Sequence, residues 1–221
     1  MPVINYNLRR MLLDDPHNDQ LDMWDVALKV FAHALPDHNR QDDAEEDDMD
    51  VDYNDPDYDM VTVAQAELFG MDPYRQQLLG HDPFMVADSH SDDTYMYYER
   101  VFDEFGVPHN NVVEQFVGYP KNMLFLHNVT VRPDLRGRGL GSLLAADAIL
   151  TLADSSTGVF AHPASLEHTE SDDDRRRQNA RNKQWLDRIG FVPFGEELWT
   201  FDINLLDNDM RLAALREPPA L

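Results

Sequence analysis

The sequence predicts an α/β (α+β) fold, in which a mixed central β-sheet is flanked by helices. Two observations support this prediction. In the C-terminal half, short apolar runs of strand composition alternate with segments of helical periodicity. In the N-terminal half, two apolar runs flank a highly acidic stretch and indicate a hairpin. The 221 residues are enough to bury a core without crosslinks, and we expect one domain over 1–221.

The charge balance narrows the set of partners. Asp and Glu number 42 against 18 Lys and Arg, and the formal net charge is −24. Because a phosphate-binding surface needs clustered positive charge, nucleic acid and anionic membranes are poor partners, whereas a cationic small molecule or peptide is favoured. Solubility or salt tolerance is the alternative explanation of the charge.

No cysteine is present, so thiolate metal sites and disulfides are excluded, and a reducing cytoplasm is the expected location. The sequence shows neither a signal peptide nor an apolar run of about 20 residues, the length of a membrane span.

The N-terminal hairpin consists of 23–35 (MWDVALKVFAHAL) and 60–70 (MVTVAQAELFG), both rich in β-branched and aromatic residues. By periodicity the first run is also compatible with a helix. Between them, 42–59 is so acidic that we expect a mobile, solvated loop. It contains DVDYND, the beginning of a calcium-loop pattern, but Asp55 stands where glycine is needed and Val61 where the closing carboxylate is needed. We therefore expect no EF-hand and no metal cofactor, with weak adventitious binding of a cation as the alternative for this segment.

The middle of the chain predicts an amphipathic helix. Aromatic residues recur there at three- and four-residue spacing, at Tyr95, Tyr98, Phe102 and Phe105. The helix is entered through the capping-type cluster DSHSDD and is stopped by Gly106 and Pro108. His90 lies in this cluster between two serines. Helix capping is the better interpretation of its place, and contact with a substrate is the alternative.

The C-terminal half alternates regularly. A strand over 122–131 (NMLFLHNVTV) ends at Pro133, and LGSLLAADAILTLAD follows with helical periodicity. TGVFAHP is a second strand, and ESDDDRRRQNARNKQWLDRIGF is a helix ended by Gly190. FVPF and LWTFDI form a closing hairpin. This order predicts helices packed on a sheet.

The turn between the first of these strands and its helix holds three of the ten glycines, together with two arginines. A glycine-rich turn that leads from a strand into a helix directs backbone N–H groups and the helix dipole at one place, which favours an anion. Three residue types contribute to this site. The glycines permit close approach and positive φ, the arginines supply charge, and a serine adds a hydroxyl. The residues that form this predicted site are Arg136, Gly137, Arg138, Gly139, Gly141 and Ser142. The turn therefore predicts a site for a diphosphate.

The spacing excludes two familiar phosphate loops. A Walker loop requires Gly-Lys-Ser/Thr, and the dinucleotide fingerprint requires G-x-G-x-x-G, whereas these glycines run G-x-G-x-G. Arg136, Gly139 and Gly141 instead fill motif A of the GCN5-related N-acetyltransferases, and VTVRPDLRGRG resembles members of that superfamily, including poorly characterised bacterial ones. NARNKQWLDRIGF resembles the family's later helix. Its matching residues are Asn179, Trp185, Gly190 and Phe191. The resemblance covers 122–203.

The resemblance implies an acetyl-CoA-binding core at 122–203. The pyrophosphate would lie on the turn, from Arg136 through Leu140 to Ser142, with Asn179 also contributing. The pantetheine arm would pair with the backbone near Val129 and Val131. The implied activity is direct transfer of an acetyl group from acetyl-CoA to an amine of unknown identity. A non-catalytic acyl-CoA-binding sensor or interaction module is the alternative, and homodimers are frequent among such proteins.

Two departures from the family are visible. Leu186 stands where the family often has a tyrosine as general acid, four residues before the helix-ending glycine. The helices that usually follow the first strand are displaced, with helical sequence lying just before residue 122 instead. These departures concern the proton donor and the topology of the N-terminal half.

Amine acetylation needs a base, because an alkylamine is mostly protonated at neutral pH. His127 is the candidate general base. By period-two alternation it is expected on the same strand face as Val129 and Val131. A structural histidine is the alternative interpretation. His162, at the end of the next strand, is a candidate for substrate contact. The resemblance also implies that a backbone N–H near Val129 is the donor to the oxyanion.

Overall fold

The computed structural model describes residues 2–9, 21–32, 35, 60–163, 171–195, 197–205 and 207–208. The predicted acidic loop 42–59 lies outside the described residues. The described part contains a seven-stranded mixed sheet with helices packed on it. The predicted α/β (α+β) class, with a mixed central sheet flanked by helices, is confirmed.

The strands lie in the order β1-β2-β3-β4-β5-β7-β6. Their bounds are β1 Val3–Arg9, β2 Asp22–Phe31, β3 Met60–Met71, β4 Asn122–Val131, β5 Thr157–Ala161, β6 Val192–Phe194 and β7 Leu198–Phe201. All neighbouring pairs are antiparallel except β4 and β5, which are parallel. Both predicted hairpins are confirmed, since β2 pairs with β3 and β6 with β7. The helical alternative for 23–35 is wrong over β2.

Four of the six α-helices in the described ranges precede β4. Their bounds are α1 Pro73–Leu78, α2 Pro83–His90, α3 Asp92–Val101, α4 Asn110–Val113, α5 Leu140–Leu152 and α6 Asp172–Ile189. Helices α1 to α4 follow β3 directly, so the expected helical sequence before residue 122 is confirmed. Gly190, at φ 105°, ends α6 as predicted.

The two faces of the sheet carry different cores. On one face, aliphatic residues of β2 to β5 pack against α5 and the end of α6. On the other face, aromatic residues of β3, β4 and β5 pack against α2, α3 and α4. Phe125 of β4 stacks there on Phe69 at 4.9 Å and on Phe160 at 5.6 Å between ring centroids. We refer to these as the α5 face and the α3 face.

The predicted helix through Phe105 ends earlier than expected. Helix α3 stops at Val101, and Phe102 is already extended, with φ −122° and ψ 154°. The cause is Asp103, whose Oδ1 accepts hydrogen bonds from the backbone N–H groups of Phe105 and Val107, each at 2.9 Å. This side-chain-stabilised turn competes with the helix. Phe105 is consequently exposed rather than packed.

Candidate functional site

A cleft opens where β4 and β5 separate. The two strands pair from Asn122 with Thr157 as far as Leu126 with Ala161. Beyond Leu126, the edge of β4 that faces β5 has no strand partner among the described residues, so its backbone groups face the cleft. The cleft has a volume of about 500 Å³. Its lining includes His127 and His162, which directly follow the last paired residues of β4 and β5.

The position of His127 is set by a β-bulge. In the pairing of β3 with β4, Glu67 lies opposite Asn128 and Leu68 opposite Leu126, which leaves His127 as the extra residue. The bulge breaks the period-two alternation, so the expectation that His127 shares a face with Val129 and Val131 is wrong.

The two valines and the histidine lie on opposite sides of the sheet. Val129 and Val131 pack with the core of the α5 face. The His127 ring lies on the α3 face, 5.9 Å from Phe69 and 6.5 Å from Tyr97 between ring centroids. The cleft therefore passes through the sheet from one face to the other.

The glycine turn borders this cleft: Arg136 and Gly141 are among the described lining residues, whereas Gly137, Gly139, Leu140 and Ser142 are not. Gly137 and Gly139 have φ of 80° and 81°, with open space where a Cβ would stand. A Cβ on Gly141 would lie 3.2 Å from Cγ2 of Val131 and 3.4 Å from Cγ1 of Val129, so glycine lets α5 approach β4 closely. Gly139 is the N-cap of the 13-residue helix α5 and provides no side-chain cap. The first-turn N–H groups are therefore open to an anion.

The two arginines of the turn take different places. Arg136 lines the cleft, and its Nε donates a hydrogen bond to the carbonyl of Val131 at 3.1 Å. Arg138 is not among the described residues that line the cleft. It lies near Asp134, whose pKa is lowered mainly by its hydrogen bonds from Arg132 and further by nearby positive charge. Of the two, Arg136 is the one placed to meet a ligand in the cleft.

Helix α6 forms the opposite wall, and here the sequence prediction misses four residues. Asn179 is not among the described lining residues. The cleft is lined instead by one face of α6, whose residues follow each other at three- and four-residue spacing. This face consists of Gln178, Arg181, Asn182 and Trp185. Their i, i+3, i+4, i+7 spacing is a signal that could have identified them. Asn182 donates from Nδ2 to the carbonyl of Pro163 at 3.0 Å.

Ser142 and Trp185 join α5 to α6. The indole Nε1–H of Trp185 donates to Oγ of Ser142 at 3.0 Å. The serine hydroxyl predicted to face a phosphate thus has a helix-to-helix partner, although its own proton can still be donated. Leu186 is buried in the core of the α5 face and also lines the cleft. No proton donor stands at its position.

On the α3 face, Asp93 and Tyr97 lie beside the two histidines that line the cleft, without being among the described lining residues themselves. Nε2 of His127 lies 3.9 Å from Oδ2 of Asp93, and Nδ1 of His127 is buried with no hydrogen-bond partner among the described residues. The ring of Tyr97 contacts both lining histidines edge-on, with His162 at 6.3 Å. Burial lowers the pKa of His162, with Glu197 and Asp93 opposing the effect. This shift favours the neutral form of the His162 imidazole.

His90 lies beside this group but does not cap a helix. It is the last residue of α2, and Ser91 is the N-cap of α3, accepting from the N–H of Thr94 at 3.2 Å. Its Nδ1 contacts Oγ1 of Thr94 at 2.9 Å, and its Nε2 lies 2.6 Å from the Sδ of Met23. Burial, and next the nearby His127, lower the pKa of His90. It is not among the described lining residues of the cleft.

Known structures resemble this chain distantly. No protein-family model matches the chain, and no curated protein matches it significantly. Three solved structures are similar, each at 12% identity and covering 90% of this chain. They are a KacTA–DNA complex (TM-score 0.37, 92% of its chain), a point mutant of KacT (0.38, 94%) and AtaTR bound with AcCoA (0.35, 92%). At these values the likeness does not carry a function over to this chain.

The described residues contain neither a membrane-spanning helix nor a metal-binding group. Within the ranges given above, no helix is both long and apolar enough to cross a membrane. Within the same ranges, no group of three or more His, Asp or Glu side chains is arranged to hold a metal ion.

Proposed function

We propose that this chain is an N-acetyltransferase that transfers an acetyl group from acetyl-CoA directly to an amine. The observation that carries the proposal is the glycine and arginine turn, which opens at the N-terminus of α5 into a cleft between two diverging strands. A diphosphate suits the turn because Gly137 and Gly139 leave its backbone accessible. The motif residues shared with GCN5-related N-acetyltransferases support the same ligand.

The donor would be held by the α5 face. The N–H groups from Gly139 to Ser142 and the guanidinium of Arg136 would bind the pyrophosphate. The edge of β4 near Val129 and Val131 has no strand partner among the described residues and would pair with the amides of the pantetheine arm. Arg181, on the wall formed by α6, adds a second guanidinium to the cleft. These residues bind and orient the thioester.

The chemistry would occur where the cleft crosses the sheet. His127 lines the cleft and is 20% exposed, so its imidazole can accept a proton from an amine there. A backbone N–H of β4 near Val129 is the donor expected for the oxyanion. Because Leu186 is apolar, the leaving thiolate would take its proton from the attacking nitrogen or from water.

We further propose one domain over 1–221, with the donor core at 122–203, a cytoplasmic location and a homodimer. The acceptor would be a small-molecule or peptide amine, and the charge of −24 makes nucleic acid an unfavourable partner.

Leu186 supports a second candidate function. A buried leucine at the proton-donor position is compatible with a module that binds acyl-CoA without turning it over. The two functions differ in whether free thiol is released when acetyl-CoA is mixed with a panel of polyamines, amino acids and peptides. Release with any amine identifies the transferase, whereas binding without release identifies the module.

The donor site is tested by the thermal unfolding midpoint, Tm, with and without acetyl-CoA. Arg136→Ala should remove most of the stabilisation by acetyl-CoA, because it removes a charged hydrogen-bond donor from the cleft. Arg132→Ala is the matched control, since Arg132 pairs with Asp134 in the same turn. If both variants keep full stabilisation, the pyrophosphate is not bound at this turn.

A further inference from the structure

The α3-face end of the cleft has its own chemistry. We call it the acceptor mouth and define it by His127 and His162 together with their neighbours Asp93 and Tyr97, which are not among the described lining residues. The two histidines belong to the lining of the cleft and reach the mouth from β4 and from the end of β5. The ring of Tyr97 lies edge-on to each of them, with centroid distances of 6.5 and 6.3 Å. The mouth therefore combines two imidazoles with an aromatic ring that contacts both.

Asp93 is the acidic member of the mouth. It lies in the first turn of α3, where the helix dipole stabilises a negative charge. Its side chain is 53% exposed, and its one ion-pair neighbour among the described residues is His127. Glu197, by contrast, is paired with Arg100 at 2.5 Å. The mouth thus holds one carboxylate that no described lysine or arginine neutralises.

The distance between Asp93 and the candidate base has a geometric consequence. Oδ2 of Asp93 and Nε2 of His127 are 3.9 Å apart, which is too far for a hydrogen bond between them. A single nitrogen atom between them can lie about 2.8 Å from both, the length of a charge-assisted hydrogen bond. An ammonium group, with three N–H donors, suits this arrangement and a carboxylate or phosphate does not.

We propose that Asp93 binds the ammonium group of the acceptor beside His127, and so makes the enzyme selective for alkylammonium acceptors. The inference rests on the proposed function, because it places the acceptor of that reaction. The ammonium would give one proton to Nε2 of His127, which passes it to solvent. The neutral nitrogen would then form a bond to the thioester carbonyl carbon, the C–S bond would break, and the second proton would go from nitrogen to the thiolate. The products are an amide, a thiol and one released proton.

The test uses 1,4-diaminobutane as the probe and does not require turnover. The imidazole C–H signal of His127 is assigned with His127→Gln and followed by NMR during titration at pH 7.5, with and without CoA. We expect saturable binding to the wild type and no saturable shift with 1,4-butanediol. Asp93→Asn should weaken binding of the diamine about tenfold, because a charged hydrogen-bond acceptor is lost.

Asp92→Asn is the matched control. It removes the same charge from the same helix turn, at a position outside the mouth, and should change the affinity less than twofold. Asp93→Glu keeps the charge and should retain most of the affinity, which distinguishes lost recognition from a disturbed fold. Equal weakening by Asp92→Asn and Asp93→Asn would show that the general charge of the chain attracts the diamine, and would overturn the inference. Absence of a saturable shift in the wild type would also overturn it.

Failure of this inference can be told from failure of the proposed function. If acetyl-CoA raises Tm but Asp93→Asn does not weaken diamine binding, the donor site is supported and the acceptor assignment is wrong. If acetyl-CoA does not raise Tm but diamine binding depends on Asp93, the cation site stands and the proposed function fails.

Discussion

The two ends of the cleft are built by different means. At the α5 end, backbone conformation dominates: Gly139 adopts φ 81°, and Gly141 allows α5 to lie against Val129 and Val131. At the α3 end, side chains dominate, with the rings of His127 and Tyr97 held among buried aromatics. The first end suits a ligand that is recognised through its phosphates, and the second suits one recognised by charge and shape.

The difference explains why the donor is easier to propose than the acceptor. A backbone site depends on consecutive residues, so its glycines and arginines appear together in the sequence. The acceptor mouth collects Asp93, His127 and His162 from a helix and two strands, and no local pattern unites them. Variants at the two ends should therefore fail in different ways.

The largest effect is expected at the backbone end. Gly139→Glu should abolish detectable binding of acetyl-CoA, because it places a carboxylate at the N-cap where a phosphate would bind, and forces a side chain to φ 81°. Isothermal titration calorimetry with acetyl-CoA measures the loss.

Gly80→Glu is the control for this variant. Gly80 has the same φ of 81° and the same open space, but lies between α1 and α2. It should lose similar stability, of about 1 kcal/mol, and keep normal affinity for acetyl-CoA. Equal affinity in both variants would mean that the glycine turn does not hold the donor.

The next largest effect is expected at the side-chain end. His127→Gln should lower kcat by about 100-fold, because a positioned base is removed, and leave the Kd for acetyl-CoA unchanged. The rates are measured by thiol release with an active amine between pH 6 and 9. His162→Gln, on the same mouth, should lower kcat far less. An unchanged pH profile in His127→Gln would exclude His127 as the base.

Much of the fold was predictable because it depends on local signals. The bounds of β4 and the start of α5 follow from an apolar run, a proline and a glycine turn, and the end of α6 follows from Gly190. The end of α3 was not predictable from periodicity, since the side chain of Asp103 builds a turn that competes with the helix.

The site was predictable only where it depends on local sequence. The strand alternation placed His127 on the wrong face, because the bulge depends on pairing with β3, which lies some 60 residues earlier in the chain. On α6 the resemblance indicates Asn179, whereas the wall of the cleft is the helical face that contains Asn182. Both errors concern contacts between distant segments.

A smaller effect of pH on stability is expected from the α3 end. Burial lowers the pKa of His90 and of His162 below 6.5, so the unfolded chain binds more protons than the folded one near and below that pH. Their contribution to stability is present above pH 6.5 and is lost as the pH falls from there through the lower pKa values of the folded state. Between pH 7 and 5.5, wild-type Tm should fall relative to that of the double variant His90→Gln/His162→Gln.

The comparison with a variant is necessary because acidification also reduces the repulsion within a chain of net charge −24, which stabilises it. His109→Gln serves as the control, since His109 lies near the start of α4 and outside the acceptor mouth. If the double variant and His109→Gln show the same change of Tm with pH as the wild type, these two histidines do not govern stability in this range.

The smallest effect concerns the joint between α5 and α6. Trp185→Phe and Ser142→Ala each remove the hydrogen bond from Nε1 to Oγ at 3.0 Å and should each lower the free energy of unfolding by about 1 kcal/mol. Because both remove one interaction, the double variant should lose less than the sum, with a coupling of about 0.5–1 kcal/mol in chemical denaturation. Ser142→Ala should then weaken acetyl-CoA binding more than Trp185→Phe only if the serine hydroxyl also donates to the phosphate. Equal effects of the two variants on the Kd would assign Ser142 to helix packing alone.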